Sequence, residues 1–253
     1  MKVALIQGKI VWHNPQENFQ HFSGLIEPLE DVDLIVLPEM WSSGFTMKAH
    51  QHYKDLNDAL DLMKSWSESK SATIIGSLIV KEVEEYYNRS YTVSEGKIQY
   101  QYDKKHLFGF AGEDRYFNNG NTRGYFDKDE WRICPMICYD LRFPAWCRNS
   151  MAYDVLVFSA NWPDKRIEAW NTLLKARAIE NQCYVIGVNC FGADVWDNVY
   201  SGYSSIISYD GTVLDNLTDR PGVVQVVIEK KELMKYREAL PFLNDQDRFI
   251  FDL

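Results

Sequence analysis

The sequence predicts an α/β fold in which mixed β-sheets are covered by helices. Three observations point there. Apolar runs rich in β-branched residues recur along the whole chain. Several of them, residues 33–37 and 155–159 among them, are nearly continuous Val, Ile and Leu, as expected for strands buried on both faces. Helix-like stretches lie between the runs, so strands and helices are interleaved rather than segregated.

In chain order, strands are predicted over residues 2–7, 33–37, 73–80, 90–93, 97–102, 131–138, 155–159, 184–188, 204–208 and 223–228. Some alternate apolar and polar residues and read as half-exposed. A helix over 15–29 follows Asn14, a good N-cap, with Pro15 at the first helical position. A second is predicted over 56–69. A third, over 166–182, carries Ile167, Trp170, Leu173, Leu174 and Ile179 at helical spacing. A short late helix covers 228–236. With no Pro/Ser-rich linker, repeat or low-complexity tract, residues 1–253 read as one domain.

Composition narrows the function. Hydrophobic residues make up 46% and charged residues 25% of 253, ordinary values for a globular protein with a sizeable core. No run approaches the roughly 18 uncharged apolar residues that span a bilayer. The first seven residues read as a strand rather than a signal peptide, so the expected location is the cytoplasm, with no membrane partner. A net charge of −9 argues against a nucleic-acid footprint. Five cysteines, an odd number, point to reduced thiols. There is no CxxC, and the histidines lie far from the cysteines in sequence, so no zinc site is expected. Cys134 and Cys138 share one face of a strand about 13 Å apart at roughly 3.3 Å per residue, beyond the roughly 7 Å a disulfide spans.

Three segments place a reactive side chain at the end of an apolar run, where sites form in open α/β sheets. Asp33-Leu-Ile-Val-Leu-Pro-Glu39-Met-Trp41 leads a buried strand into a carboxylate. Tyr100-Gln-Tyr-Asp-Lys104-Lys105-His106-Leu-Phe108 sets two lysines side by side; on a strand they point to opposite faces, and only one can enter a pocket. Ile133-Cys134-Pro-Met-Ile-Cys138-Tyr-Asp-Leu-Arg142 delivers a thiol to a polar turn. Such a thiol needs a nearby cation or base to become a nucleophile. Taken alone, the first two read better as a surface acid and a solvated basic pair, and a buried structural cysteine is among the commonest fates of the third.

Together, in this order and spacing, the three segments resemble the nitrilase superfamily, the carbon–nitrogen hydrolases. LPEMW is similar to that family's glutamate segment, YDKKHLF to its lysine segment and CYDLRFP to its cysteine segment. Tyr87-Asn88-Arg89, Gly112-Glu113 with Gly120, Ser159-Ala-Asn-Trp-Pro163 and Ala176–Gln182 extend the match. The resemblance implies an αββα sandwich, usually a homodimer, with no metal and no organic cofactor. It implies Glu39, Lys104, Cys138 and Glu113 as the catalytic set, and selects Lys104 over Lys105 because that lysine stands two residues before the histidine. Lys104 and the backbone N–H of Tyr139 would form the oxyanion hole.

Tyr139-Asp140 after the cysteine looks like the amidase branches rather than true nitrilases. The segment from Asn161 to Trp170 resembles the omega-amidase-like branch. The implied substrate is a small-molecule amide: the ω-monoamide of a short dicarboxylic acid such as 2-oxoglutaramate or succinamate, or the 2-oxo amide of methionine salvage. Its remote carboxylate needs a cation, and Arg166 is the candidate. Trp41, Phe45, Phe110 and Trp162 are candidate pocket walls, and Arg142 is expected to pair with a carboxylate. The alternatives are an N-carbamoyl amino-acid hydrolase, a nitrilase, or a non-catalytic ligand-binding scaffold on the same fold.

Overall fold

A computed structural model describes residues 1–251. Strands β1 (Lys2–Gln7), β2 (Leu34–Val36), β3 (Thr73–Glu82), β4 (Glu85–Ser94) and β5 (Lys97–Asp103) form one sheet with β13 (Gly222–Val227), in the order β13-β1-β2-β3-β4-β5. The second sheet contains β6 (Phe126–Lys128), β7 (Trp131–Ile137), β8 (Val155–Ala160), β9 (Tyr184–Asn189), β10 (Phe191–Ala193) and β11 (Val199–Ile207), in the order β10-β11-β9-β8-β7-β6. Strand β12 (Val213–Thr218) pairs with β11. Each sheet has a parallel centre, β1-β2-β3 and β7-β8-β9, with antiparallel strands outside it.

Helices α1 (Pro15–Ile26), α2 (Ala49–His52), α3 (Leu56–Ser69), α4 (Pro144–Cys147), α5 (Ile167–Asn181) and α6 (Lys230–Ala239) complete the chain. Alternation along the strands dictates the layers. Val3 and Leu5 of β1 face the second sheet and share a cluster with Val155, Val157 and Ile186. Ala4 and Ile6 point the other way, into a cluster with Phe22 and Ile26 of α1 and Met63 and Trp66 of α3. Leu156, Phe158 and Val185 meet Trp170, Leu174 and Ala178 of α5 on the far side of the second sheet. The result is the expected αββα sandwich. Burying one such aliphatic side chain contributes about 1.5–3 kcal/mol. A one-residue register slip would reverse a whole set, so register is strongly specified.

Helix α1 starts as predicted, with the Asn14 side chain accepting from the Glu17 N–H at 3.3 Å. Helix α5 departs from its predicted apolar stripe. Ile179 is exposed, whereas Arg177 is buried and donates twice to the Leu141 carbonyl, at 3.1 and 2.7 Å. Strands β6, β10 and β12 carry no sequence signal of their own and depend on their neighbours for pairing. No helix among the described residues is long and apolar enough to cross a membrane.

Candidate active site

The parallel strands of both sheets end toward one cleft. Strand β2 runs into Pro38 and Glu39, β7 into Cys138, and β8 into Asn161. Lys104 differs from its sequence placement: β5 ends at Asp103, so the lysine stands one residue past the strand. Its N–H donates to the Asn88 carbonyl at 3.0 Å and its carbonyl accepts from Gly120 at 2.9 Å. Gly120 is required there, because a Cβ would lie 2.3 Å from the Asp103 carbonyl oxygen. Lys105 is half-buried, with its ammonium 5.4 Å from the Trp146 ring centre.

Glu39, Lys104 and Glu113 are fully or almost fully buried and meet directly. Lys104 Nζ donates to Glu39 Oε1 at 2.8 Å and to Glu113 Oε1 and Oε2 at 3.0 and 2.8 Å. Glu113 also accepts from the Phe108 N–H at 2.6 Å. Gly112, at φ +78° in the left-handed region, turns the chain that brings Glu113 inward. Burial opposes the charge of Lys104, but Glu113 and then Glu39 outweigh it and hold the ammonium's pKa above its ordinary value. Burial raises the Glu113 carboxyl; Lys104 pulls it down and Glu39 adds to the rise.

Cys138 sits at φ +42°, a strained conformation for a residue with a Cβ, at the junction of β7 and a tight 3₁₀ turn over Cys138–Arg142. The turn is held at both ends. Asp140, fully buried, accepts from Ile137 N–H at 3.1 Å, Tyr102 Oη at 2.7 Å, and His106 N–H and Nδ1 at 3.0 and 2.8 Å. Arg177 holds the Leu141 carbonyl. Tyr139 is the second residue of the turn, where backbone N–H groups lack an intrahelical acceptor. The Cys138 thiol lies 3.9 Å from the Asn161 carbonyl oxygen and lines the same cleft as Glu39 and Lys104. Burial, and then the charge of Glu39, pushes the thiol well above its ordinary range, against the pull of Lys104. A neutral thiol beside an acceptor carboxylate is the arrangement for general-base activation rather than for a standing thiolate. The other four cysteines are buried and unpaired in disulfides.

The cleft over Cys138 has a volume of about 280 Å³. Phe45, Phe108, Phe110 and Trp162 line it, as does Arg166 at the start of α5. Among the described lining residues, Arg166 is the cation without a carboxylate partner; its guanidinium lies 5.2 Å from the Phe108 ring centre. Trp41 corrects the sequence reading. It is fully buried among Phe19, Phe22 and Trp66 and does not reach the cleft. The backbone after Glu39 turns at Met40, φ +44°, and sends the next side chain into the core. Arg142 also departs from expectation, lying 4.9 Å from the Trp162 ring centre rather than on a carboxylate.

Three further groups reach the site: Asn88 and Asn161 stand in segments that carry the family resemblance without being assigned a role there, and the third group has no sequence signal. The Asn161 N–H donates to Glu39 Oε2 at 3.0 Å, and its side chain donates to the Glu39 carbonyl at 2.6 Å. Asn88 Nδ2 donates to Glu39 Oε1 at 2.8 Å. The loop between β10 and β11 brings Asp194, Trp196 and Asn198 to the cleft, and the start of β11 brings Tyr200. There Asp194 is already saturated by Trp196 N–H, Asn198 N–H, Asn198 Nδ2 and Tyr200 Oη, at 2.8 to 3.2 Å. Among the described residues, no group of three or more His, Cys, Asp or Glu is placed to hold a metal ion.

The chain is similar to known proteins over almost its whole length. The carbon-nitrogen hydrolase family profile matches residues 2–238. The chain is 38% identical over 253 residues to the omega-amidase YafV of Yersinia enterocolitica, covering 99% of this chain and 98% of the relative. It is 35% identical over 250 residues to the 2-oxoglutaramate amidase of Bacillus subtilis, covering 96% of each. Among solved structures, XC1258 from Xanthomonas campestris is a CN-hydrolase superfamily protein with an arsenic adduct in its active site. It matches with a TM-score of 0.96 at 34% identity, over 99% of this chain and 98% of that one.

Proposed function

The chain belongs to the carbon–nitrogen hydrolase family, and on that premise we propose that it hydrolyses the ω-amide of a short dicarboxylic acid monoamide, of the 2-oxoglutaramate or succinamate type, through a thioester on Cys138. It is a hydrolase acting on amides, in keeping with the omega-amidase and 2-oxoglutaramate amidase relatives. The observation that carries the finer reading is the convergence of the thiol, the Lys104 ammonium and the Glu39 carboxylate in a cleft where, among the described residues, Arg166 is the cation without a carboxylate partner.

Glu39 Oε2 takes the thiol proton as sulfur attacks the amide carbon, and the carbonyl electron pair moves onto oxygen. Lys104 Nζ and the Tyr139 N–H receive that oxyanion; a donor of this kind supplies about 3 kcal/mol of transition-state stabilisation. Glu39 passes its proton to the nitrogen, which leaves as ammonia with the C–N pair. A water then gives its proton to Glu39 and attacks the thioester, and the departing sulfur regains a proton. Glu113 positions Lys104 throughout. Arg166 holds the remote carboxylate, while Phe45 and Trp162 wall the space between.

Ammonia release across succinamate, 2-oxoglutaramate, ureido acids and nitriles tests this. The expected result is ammonia and the dicarboxylate from the monoamides, none of it with Cys138→Ala, and a raised KM in Arg166→Ala. Carbon dioxide with ammonia from a ureido acid alone, or turnover of nitriles alone, would replace this reading. The action as a homodimer in the cytoplasm, with the whole chain as one catalytic domain, is part of the same proposal, and sedimentation of the purified protein tests the dimer.

A further inference from the structure

We propose that Asn88 is a positioning residue that sets which oxygen of Glu39 receives the thiol proton, a role that rests on the catalytic reading above. Asn88 lies on β4, fully buried and outside the cleft lining. Its Nδ2 donates to Glu39 Oε1 at 2.8 Å and, more weakly, toward Glu113 Oε1 at 3.4 Å. Its backbone carbonyl accepts from the Lys104 N–H. One residue therefore contacts both buried carboxylates and the backbone of the lysine between them. Its Oδ1 is buried and has no hydrogen-bond partner among the described residues. That orientation follows from chemistry: turning the amide over would face a carbonyl oxygen to two carboxylates.

The consequence is an asymmetry within Glu39. Oε1 is occupied by two donors, Lys104 Nζ and Asn88 Nδ2. Oε2 has one, the Asn161 N–H, and keeps an acceptor lone pair open. The Cys138 proton is thus directed to Oε2 as the S–C bond forms. Asn88 also places donor hydrogens against both Glu39 and Glu113, so the two acids have no need to share a proton between themselves. A proton trapped there would leave Glu39 unable to act as a base.

Asn88→Asp tests this, because it keeps the shape and exchanges the donor NH2 for an acceptor oxygen. When ionised, the new carboxylate repels Glu39 and Glu113. When protonated, it restores one donor. Activity relative to the unaltered enzyme should therefore recover as pH falls. Near pH 8, kcat should drop about 100-fold, the usual cost of small misplacement at a reacting centre, with KM changed less than about threefold. The deficit should narrow to about tenfold or less near pH 5.5. Cys138 alkylation by iodoacetamide, followed on the Cys138 peptide, should be slowed in the same pattern, most near pH 8 where the new carboxylate is ionised and least at low pH; it needs no knowledge of the natural substrate. Asn88→Ala removes the donors without adding charge, and covers the case in which Asn88→Asp does not fold. It should lose about 100-fold in kcat per titratable thiol at little change in KM. A uniform deficit at every pH with an unchanged alkylation profile, or Asn88→Ala within about threefold of the unaltered kcat, overturns the role. Absence of amide hydrolysis by the unaltered enzyme would instead strike the catalytic reading, and leave the alkylation profiles to judge Asn88.

Discussion

Replacing Glu113 by glutamine isolates what the second carboxylate does. The side chain is fully buried, and every polar group within reach of it is a donor: Lys104 on both oxygens, Phe108 N–H on Oε2, and Asn88 Nδ2 near Oε1. Glutamine keeps the shape but offers one acceptor and one NH2. Whichever way the amide turns, its NH2 faces a buried donor. An orphaned buried donor costs about 1–3 kcal/mol. Lys104 also loses one of two anionic partners, but Glu39 remains, so the cost stays below the 3–5 kcal/mol, roughly, of a stripped buried charge. A total of roughly 2–4 kcal/mol follows, or about 5–15 °C in Tm for a chain of this size. The ammonium, held by Glu39 alone, shifts toward it and away from the oxyanion, and a displacement on the order of 1 Å costs about 100-fold in kcat. Thermal unfolding, with ammonia-release kinetics normalised to titrated thiol, measures both. A Tm within about 2 °C and a kcat within about threefold of the unaltered enzyme would refute the positioning role and the magnitude derived from it.

Lys104→Ala should lose at least about 100-fold in kcat, as for removal of an oxyanion donor, while Lys105→Ala, whose ammonium lies over Trp146, stays within about tenfold; steady-state kinetics on succinamate separate them, and equal mild losses would reject the choice of lysine. Gly120→Ala places a Cβ 2.3 Å from the Asp103 carbonyl oxygen, behind the residue that carries the reacting ammonium. It should cost about 1–3 kcal/mol of stability and lower kcat, read by denaturant unfolding and turnover together; unchanged values in both would show that the close approach is not needed.

The chain's order of apolar runs and turns determined much of this protein before any folding was seen. The near-continuous aliphatic strands around Leu34–Val36 and Val155–Ala160 require cover on both faces, which already implies sheets packed on sheets and under helices. The end of the first run marks Glu39 and the end of the apolar strand Trp131–Ile137 marks Cys138, because a polar residue forced to follow a buried strand emerges where parallel strands end. Pattern alone does not reach further. Lys105 and Lys104 look alike in sequence; which one enters the site depends on the chain leaving β5 at Asp103 and being pinned by Asn88 and Gly120. Trp41 sits two residues from Glu39, yet a left-handed turn at Met40 sends it into the core. Asn88, Asn161 and the Asp194–Tyr200 segment reach the site only through pairings between segments far apart in the chain. Sequence spacing reports periodicity along one element. Which oxygen of a carboxylate is occupied, and which thiol finds a base, is decided by atoms from different elements meeting within about 3 Å, and only tertiary packing brings them there.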